Sequence, residues 1–299
     1  MATAASVLAS RWPSEPQASK TRLILLGTGG GPRPRDNRVS TSQVIIFNNA
    51  AYVVDCGDGV ARQLAAARVP LATLRHIFIT HQHSDHNLDY GNLIHLAWAV
   101  GLETRVDTWG PPPLEKMTRL FLEMNEYDIN IRIKDESYPP LAPLVHPHEL
   151  TQGGVVLSDG PVKVTAALVP HPIVEPAFAY RFDTPDRSIV ISGDTAPSDN
   201  LIQLAKGADV LVHEAMHLAG VERLVARVPN HPGLRQHLLA SHTAVEDVGR
   251  VAQAAGVKLL VLSHLVPADD PAITDEMWIE GARVHYRGRV IVGRDLLEI

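Results

Sequence analysis

Short apolar runs separated by turn-forming clusters alternate along this chain with stretches of helical spacing. Residues 22–26 form a compact apolar run that reads as a strand, and Thr28-Gly29-Gly30-Gly31-Pro32 after it reads as a loop whose backbone approaches something closely. Residues 44–47 and 51–54 read as a hairpin turned at Asn48-Asn49, its second strand ending in Asp55-Cys56-Gly57-Asp58-Gly59. Further strands are expected at 76–79, 105–109, 129–133, 162–168, 179–182, 188–192, 210–213 and 259–263. Helices are expected at 60–67, 88–100, 113–124, 200–206 and 245–255, and the Pro-rich segment 138–147 reads as surface loop. No short-period repeat or linker interrupts this pattern, which predicts one α/β domain over 21–299 behind a flexible Ala/Ser/Pro-rich arm over 1–20.

Composition narrows the setting. A chain of 299 residues, 45% hydrophobic, has material for one large core or two small ones. The formal net charge of -6 gives the whole molecule no attraction for polyanions, so nucleic acid is not expected as a partner. The single Cys56 cannot form an intrachain disulfide and points to a buried thiol in a reducing compartment. No apolar run reaches the roughly 18 residues of a membrane span, and no secretory leader is evident, so the expected location is cytoplasmic. The glycine-rich loop lacks the Gly-Lys-Ser/Thr and G-x-G-x-x-G patterns of nucleotide-binding loops.

The chemistry concentrates in Thr80-His81-Gln82-His83-Ser84-Asp85-His86, where three histidines and an acid follow an apolar strand. Imidazole and carboxylate suit zinc, manganese or iron, and alternation lets His81 and His83 face one ion while Asp85 and His86 face another. Open α/β folds place such chemistry at the carboxyl ends of strands.

This H-x-H-x-D-H pattern resembles the signature of the metallo-β-lactamase superfamily. With Gly27-Thr28-Gly29-Gly30-Gly31, His213-Glu214-Ala215 and Leu262-Ser263-His264, the chain is most similar to its ribonuclease Z and arylsulfatase-like branch. The resemblance implies an αββα sandwich, two mixed sheets flanked by helices, with two divalent ions, zinc first. His81, His83 and His171 would bind one ion, Asp85, His86 and His264 the other, and Asp194 would bridge them. Asp55 would support the ligand loop without touching metal. Two cations would lower the pKa of a shared water and polarise the scissile group, with Asp85 both ligating and relaying a proton. The general acid is expected to be His242, with Glu214 and His213 as further candidates, although His242 stands one residue out of register with the His-Ser-Thr that ribonuclease Z proteins show there.

Two departures set the expected substrate. Ribonuclease Z proteins usually insert a tRNA-gripping arm between the third-motif histidine and the bridging aspartate, and here only residues 172–193 intervene. Residues 216–241 form a longer segment than that branch usually has and are read as a lid, its Arg223, Arg227 and Arg235 candidates for an anionic substrate group. Asn87, Asp89, Tyr90, Trp98, Trp109 and Trp278 are candidates for a small-molecule pocket; His76, His95, His146, His148 and His285 receive no role. The leading expectation is a small organic substrate (ester, lactone, amide, sulfate or phosphodiester), with a homodimer plausible. A tRNA 3′-end endonuclease is the alternative, and a metal-binding or redox member without hydrolase activity comes third.

Overall fold

Runs such as Leu23-Ile24-Leu25-Leu26, buried on both faces, require a sheet covered on each side. The computed structural model describes residues 20–299, so all but the last residue of the expected 1–20 arm lies outside the described residues. The first half contributes β1 (Arg22–Gly27), β2 (Ser42–Phe47), β3 (Ala50–Val54), β4 (Leu74–Phe78), β5 (Val106–Gly110) and β6 (Val145–Glu149). The second contributes β7 (Gly154–Asp159), β8 (Val162–Val169), β9 (Ala177–Asp183), β10 (Ser188–Ile191), β11 (Val210–Met216), β12 (Leu259–Val266) and β13 (Arg289–Val292). β14 (Leu297–Glu298) returns to pair with β1. Among the described residues these build two seven-stranded sheets, ordered β14-β1-β2-β3-β4-β5-β6 and β13-β12-β11-β10-β9-β8-β7. Both are mixed: β3 through β6 and β10 through β13 run parallel, and the remaining pairs are antiparallel.

The sheets pack face to face through Leu23, Leu25, Ile45, Phe78, Phe178 and Phe182 and their neighbours. The outer face of the first sheet is covered by α1 (Val60–Ala66), α3 (Tyr90–Ala99) and α4 (Leu114–Met124), with the one-turn α2 (Ser84–Asn87) following β4 and α5 (Glu126–Asp135) following α4. The second is covered by α6 (Asp199–Leu204), α9 (Val245–Ala255) and α10 (Asp275–Arg283), while α7 (Leu218–Arg227) and α8 (Leu234–Ser241) pack on each other. This is the αββα sandwich that the sequence implied.

Two local expectations fail. Residues 129–133, whose isoleucines alternate as in a strand, belong to α5, where Asp128–Arg132 and Arg132–Glu136 are paired one turn apart. Acids in its first turn and Arg132 and Lys134 in its last suit the helix dipole, and that charge order outweighs the alternation. The supposed loop 138–147 ends inside β6, where Pro147 takes a place on the outermost strand of the sheet, a position proline tolerates.

Candidate metal centre and its cleft

Parallel strands deliver the site. β4 ends at Phe78 and the chain turns through Thr80 into α2, carrying His81, His83, Asp85 and His86. His171 follows β8, Asp194 follows β10, Glu214 lies on β11 and His264 on β12. Two non-glycine residues here adopt left-handed backbone, Asp55 (φ 59) and His264 (φ 43), a strained conformation that clusters at functional sites.

The donor atoms of His81, His83, His171 and Asp194 lie within 4.8 Å of one another, as do those of Asp85, His86, Asp194 and His264, and those of Glu214, His242 and His264. Asp194 is common to the first two groups. Every member is buried except the half-buried His83.

The donor set fits divalent ions. His171 Nδ1 donates to Ser241 O (3.0 Å), so its Nε2 carries a lone pair, and that nitrogen lies 3.2 Å from His83 Nδ1. His81 Nε2 lies 3.0 Å from the same His83 nitrogen. A tetrahedral zinc holding nitrogens at about 2.0–2.1 Å sets neighbouring ligand atoms about 3.3 Å apart, close to these separations. In the second group His86 Nε2 and Asp194 Oδ1 are buried without a hydrogen-bond partner among the described residues, and His264 Nε2 lies 3.2 Å from carboxylate oxygens of both Asp85 and Asp194. Buried polar atoms left in that state are costly, and a cation satisfies them together.

Neighbouring groups hold the ligand candidates in place. Asp55 Oδ2 accepts from His86 Nδ1 (2.7 Å) and its Oδ1 from Thr80 N (2.8 Å). Gly31 N donates to Asp85 Oδ2 at 2.8 Å. The adjacent Gly30 must be glycine, because a Cβ there would meet the His264 ring at 2.8 Å. Glu214 Oε1 accepts from Thr243 N (2.7 Å), and Glu214 Oε2 lies 3.4 Å from His242 Nδ1 as an ion contact. The register displacement at His242 therefore does not remove it from the site.

Burial and charge oppose each other here. Burial holds His81 well below the ordinary imidazole range and lowers His171 to about 4. Burial also pushes His242 down, but Glu214 and Asp194 outweigh it and raise the ring to about 9. For Asp194 burial raises the carboxyl, and His264 and His86 overcome it and hold it well below the usual range.

A cleft of about 740 Å³ opens above both groups. α7 and α8 form one wall through Leu224, Val228, Leu234 and Leu238, and Arg33 and Arg35 of the glycine-rich loop also line the cleft, Arg33 paired with Asp269 and Arg35 donating to the carbonyls of Gly30 and Gly31. Those two arginines went unnoticed in the sequence, where only the adjoining glycines gave a sign of close approach. The arginines of residues 216–241 are likewise engaged: Arg223 pairs with Asp270, Arg227 approaches Asp269, and Arg235 pairs with Glu222. Nor does the cleft use the proposed aromatics. Tyr90, Trp98 and Trp278 are core, and Trp109 stacks on His148.

The family model described as the Beta-lactamase superfamily domain matches residues 51–265. Ribonuclease Z of Mycobacterium bovis (strain BCG / Pasteur 1173P2) is 33% identical over 277 residues, covering 92% of this chain and 96% of that protein. Ribonuclease Z of Mycobacterium avium (strain 104) is 34% identical over 277 residues with the same coverage, 92% and 96%. The human tRNase Z, short form, shares the fold at TM-score 0.68 and 20% identity, over 93% of this chain and 98% of that one.

These relatives overturn the expectations of a small organic substrate and of no nucleic-acid partner. The interval between His171 and Asp194 does hold only β9, β10 and their connections. Yet the match runs nearly end to end in both chains, so a missing arm does not separate this chain from proteins named ribonuclease Z. Net charge misled for a related reason: it averages over the whole surface and says nothing of the charges around one cleft. The third expectation, a member without hydrolase activity, falls as well. This chain belongs to the metallo-β-lactamase superfamily of metal-dependent hydrolases, on the branch of the ribonuclease Z proteins.

Proposed function

We propose that this protein is a ribonuclease Z, a metal-dependent endonuclease that cuts tRNA precursors at their 3′ side. The observation that carries the reading is the near end-to-end match to ribonuclease Z relatives, at 33% identity over 277 residues. The convergence of two ligand groups on one shared aspartate supports it.

In this reading His81, His83 and His171 hold one divalent ion, Asp85, His86 and His264 a second, and Asp194 serves both, with zinc the first candidate. The ions supply Lewis acidity toward the phosphodiester and toward water. Asp85, fixed by Gly31 N, takes up a proton at its carboxylate. Glu214 holds His242 from its Nδ1 side, which leaves Nε2 to deliver a proton to the departing oxygen. The apolar wall of α7 and α8 keeps bulk water from one side of the cleft, and we carry residues 216–241 as a lid on the single domain 21–299. No helix among the described residues is long and apolar enough to cross a membrane, and Cys56 is buried and free. A cytoplasmic homodimer completes the proposal.

The test is cleavage of a precursor tRNA bearing a 3′ extension, with metal per chain measured by elemental analysis. Near two metals per chain, and a single cut that is lost on chelation and restored by zinc, is the expected result. Metal-replete protein that leaves the precursor intact overturns the reading. Mass and fractionation measurements check dimer and location.

A further inference from the structure

His237, on α8, belongs to neither ligand group and makes no contact with Glu214, yet it stands over the site. Its ring centroid lies 5.7 Å from that of His83, 5.9 Å from His171 and 6.1 Å from His242, and it lines the cleft. Packing does not demand a histidine there, since Leu234 and Leu238 supply the apolar anchor of α8 against Val221, Leu224 and Val225.

The hydrogen bonds around the ring fix what it offers. Ser241 Oγ donates to Pro172 O at 3.2 Å, so its only proton is engaged. With the serine proton on the shorter contact, His237 Nδ1, 3.4 Å from that same Oγ, is placed to donate to it. In a neutral imidazole this leaves Nε2 as an acceptor, with no hydrogen bond among the described residues. A phosphodiester oxygen, itself only an acceptor, does not match that nitrogen. A hydroxyl does.

We propose that His237 Nε2 accepts a hydrogen bond from the ribose 2′-hydroxyl of a nucleotide flanking the scissile phosphate, which makes His237 a determinant of RNA over DNA. The proposal rests on the ribonuclease reading. The 2′-hydroxyl is the one group by which a protein distinguishes the two backbones. The apolar side chains of Leu224, Val228 and Leu234 beside it suit the face of the attached base or sugar.

The experiment is a cycle of enzyme and substrate changes at pH 8, where a free imidazole is neutral. Wild type, His237→Ala and His237→Gln are assayed on a precursor tRNA and on the same precursor carrying a single 2′-deoxy nucleotide on either side of the cut. One deoxy position should lower wild-type kcat/KM by about 3- to 10-fold, the worth of one net hydrogen bond. His237→Ala should show the same loss on all-ribose substrate and no further loss on the deoxy one. His237→Gln, whose amide oxygen can reach the Nε2 position, should regain part of the discrimination. Metal content and Tm should not change among the three proteins. Equal deoxy penalties in wild type and His237→Ala, or no penalty in wild type at either position, overturn the proposal while leaving the ribonuclease reading intact. Metal-replete wild type that fails on the all-ribose precursor overturns both.

Discussion

Replacing Asp55 by Asn should weaken metal binding about 10- to 100-fold while leaving the chain folded. Asp55 is buried and left-handed, and Asn is among the few residues that accept that backbone, so the substitution adds little strain. The amide oxygen can still accept from Thr80 N, now at 2.8 Å. The amide nitrogen then takes the place of the oxygen that lies 2.7 Å from His86 Nδ1. His86 must present a lone pair to it, which moves the ring proton to Nε2, the nitrogen 3.3 Å from Asp194 Oδ2. A nitrogen carrying a proton cannot ligate. Loss of such an orienting partner typically costs 10- to 100-fold in metal affinity, or about 1.4–2.7 kcal/mol. Asp55→Ala is different, since it strands Thr80 N and His86 Nδ1 together at about 1–3 kcal/mol each, and should lower the Tm of metal-free protein as well. The assay is competition for zinc against a chromophoric chelator, paired with thermal melts of the chelated proteins. Wild-type zinc affinity in Asp55→Asn would refute the argument that this carboxylate sets the His86 tautomer.

Other outcomes follow from the same geometry. Asp194→Ala, which removes the shared carboxylate, and Asp85→Ala should each abolish cleavage of precursor tRNA and lower metal content with far-UV circular dichroism unchanged; full activity in either variant would contradict the ligand assignment. Gly30→Ala puts a methyl group 2.7 Å from Val266 and 2.8 Å from His264, and should cost about 1–3 kcal/mol in urea unfolding and weaken metal binding. Trp98→Ala removes a fully buried indole whose Nε1 donates to Pro139 O, and should destabilise by about 3–5 kcal/mol with metal stoichiometry unchanged. His76 lies far along β4 from the ligands, stacked on Tyr52, and burial lowers its pKa below the ordinary 6.5. The unfolded chain therefore binds the proton more readily, so this contribution to stability is complete above pH 6.5 and is lost as pH falls below it, by at most about 1.4 kcal/mol per pH unit. Urea unfolding of chelated wild type and His76→Gln from pH 7.5 to 5 should show the shallower slope in the variant.

The strands and ligands that could be read from sequence share one property: their signals are local. An apolar run ending in His-x-His-x-Asp-His carries its own meaning, and so do the Pro-His-Pro and Ser-Gly-Asp-Thr turns after β8 and β10. What escaped depends on partners distant in the chain. Whether Ile129, Ile131 and Ile133 formed strand or helix was decided by charges around them. Whether Trp98 lined a pocket was decided by Pro139, and whether Arg223 met substrate by Asp270, 47 positions away. Arg33 and Arg35 reach the cleft only because the loop before them folds over His264. The small-molecule expectation rested on net charge and on the length of one interval, neither of which describes the surface around the site, and the near end-to-end likeness to ribonuclease Z proteins overturned it.

The ligand candidates are divided between the halves of the sandwich. His81, His83, Asp85 and His86 hang from the first sheet, and His171, Asp194 and His264 from the second. Bound ions would thus act as rivets between two plates, and each ion at a hundred times its dissociation constant would add about 2.7 kcal/mol against their parting. A nascent chain would gain them only after its second half had been synthesised and docked. Metal capture would then report completed assembly, and metal starvation would loosen the seam between the sheets before it unravelled either one.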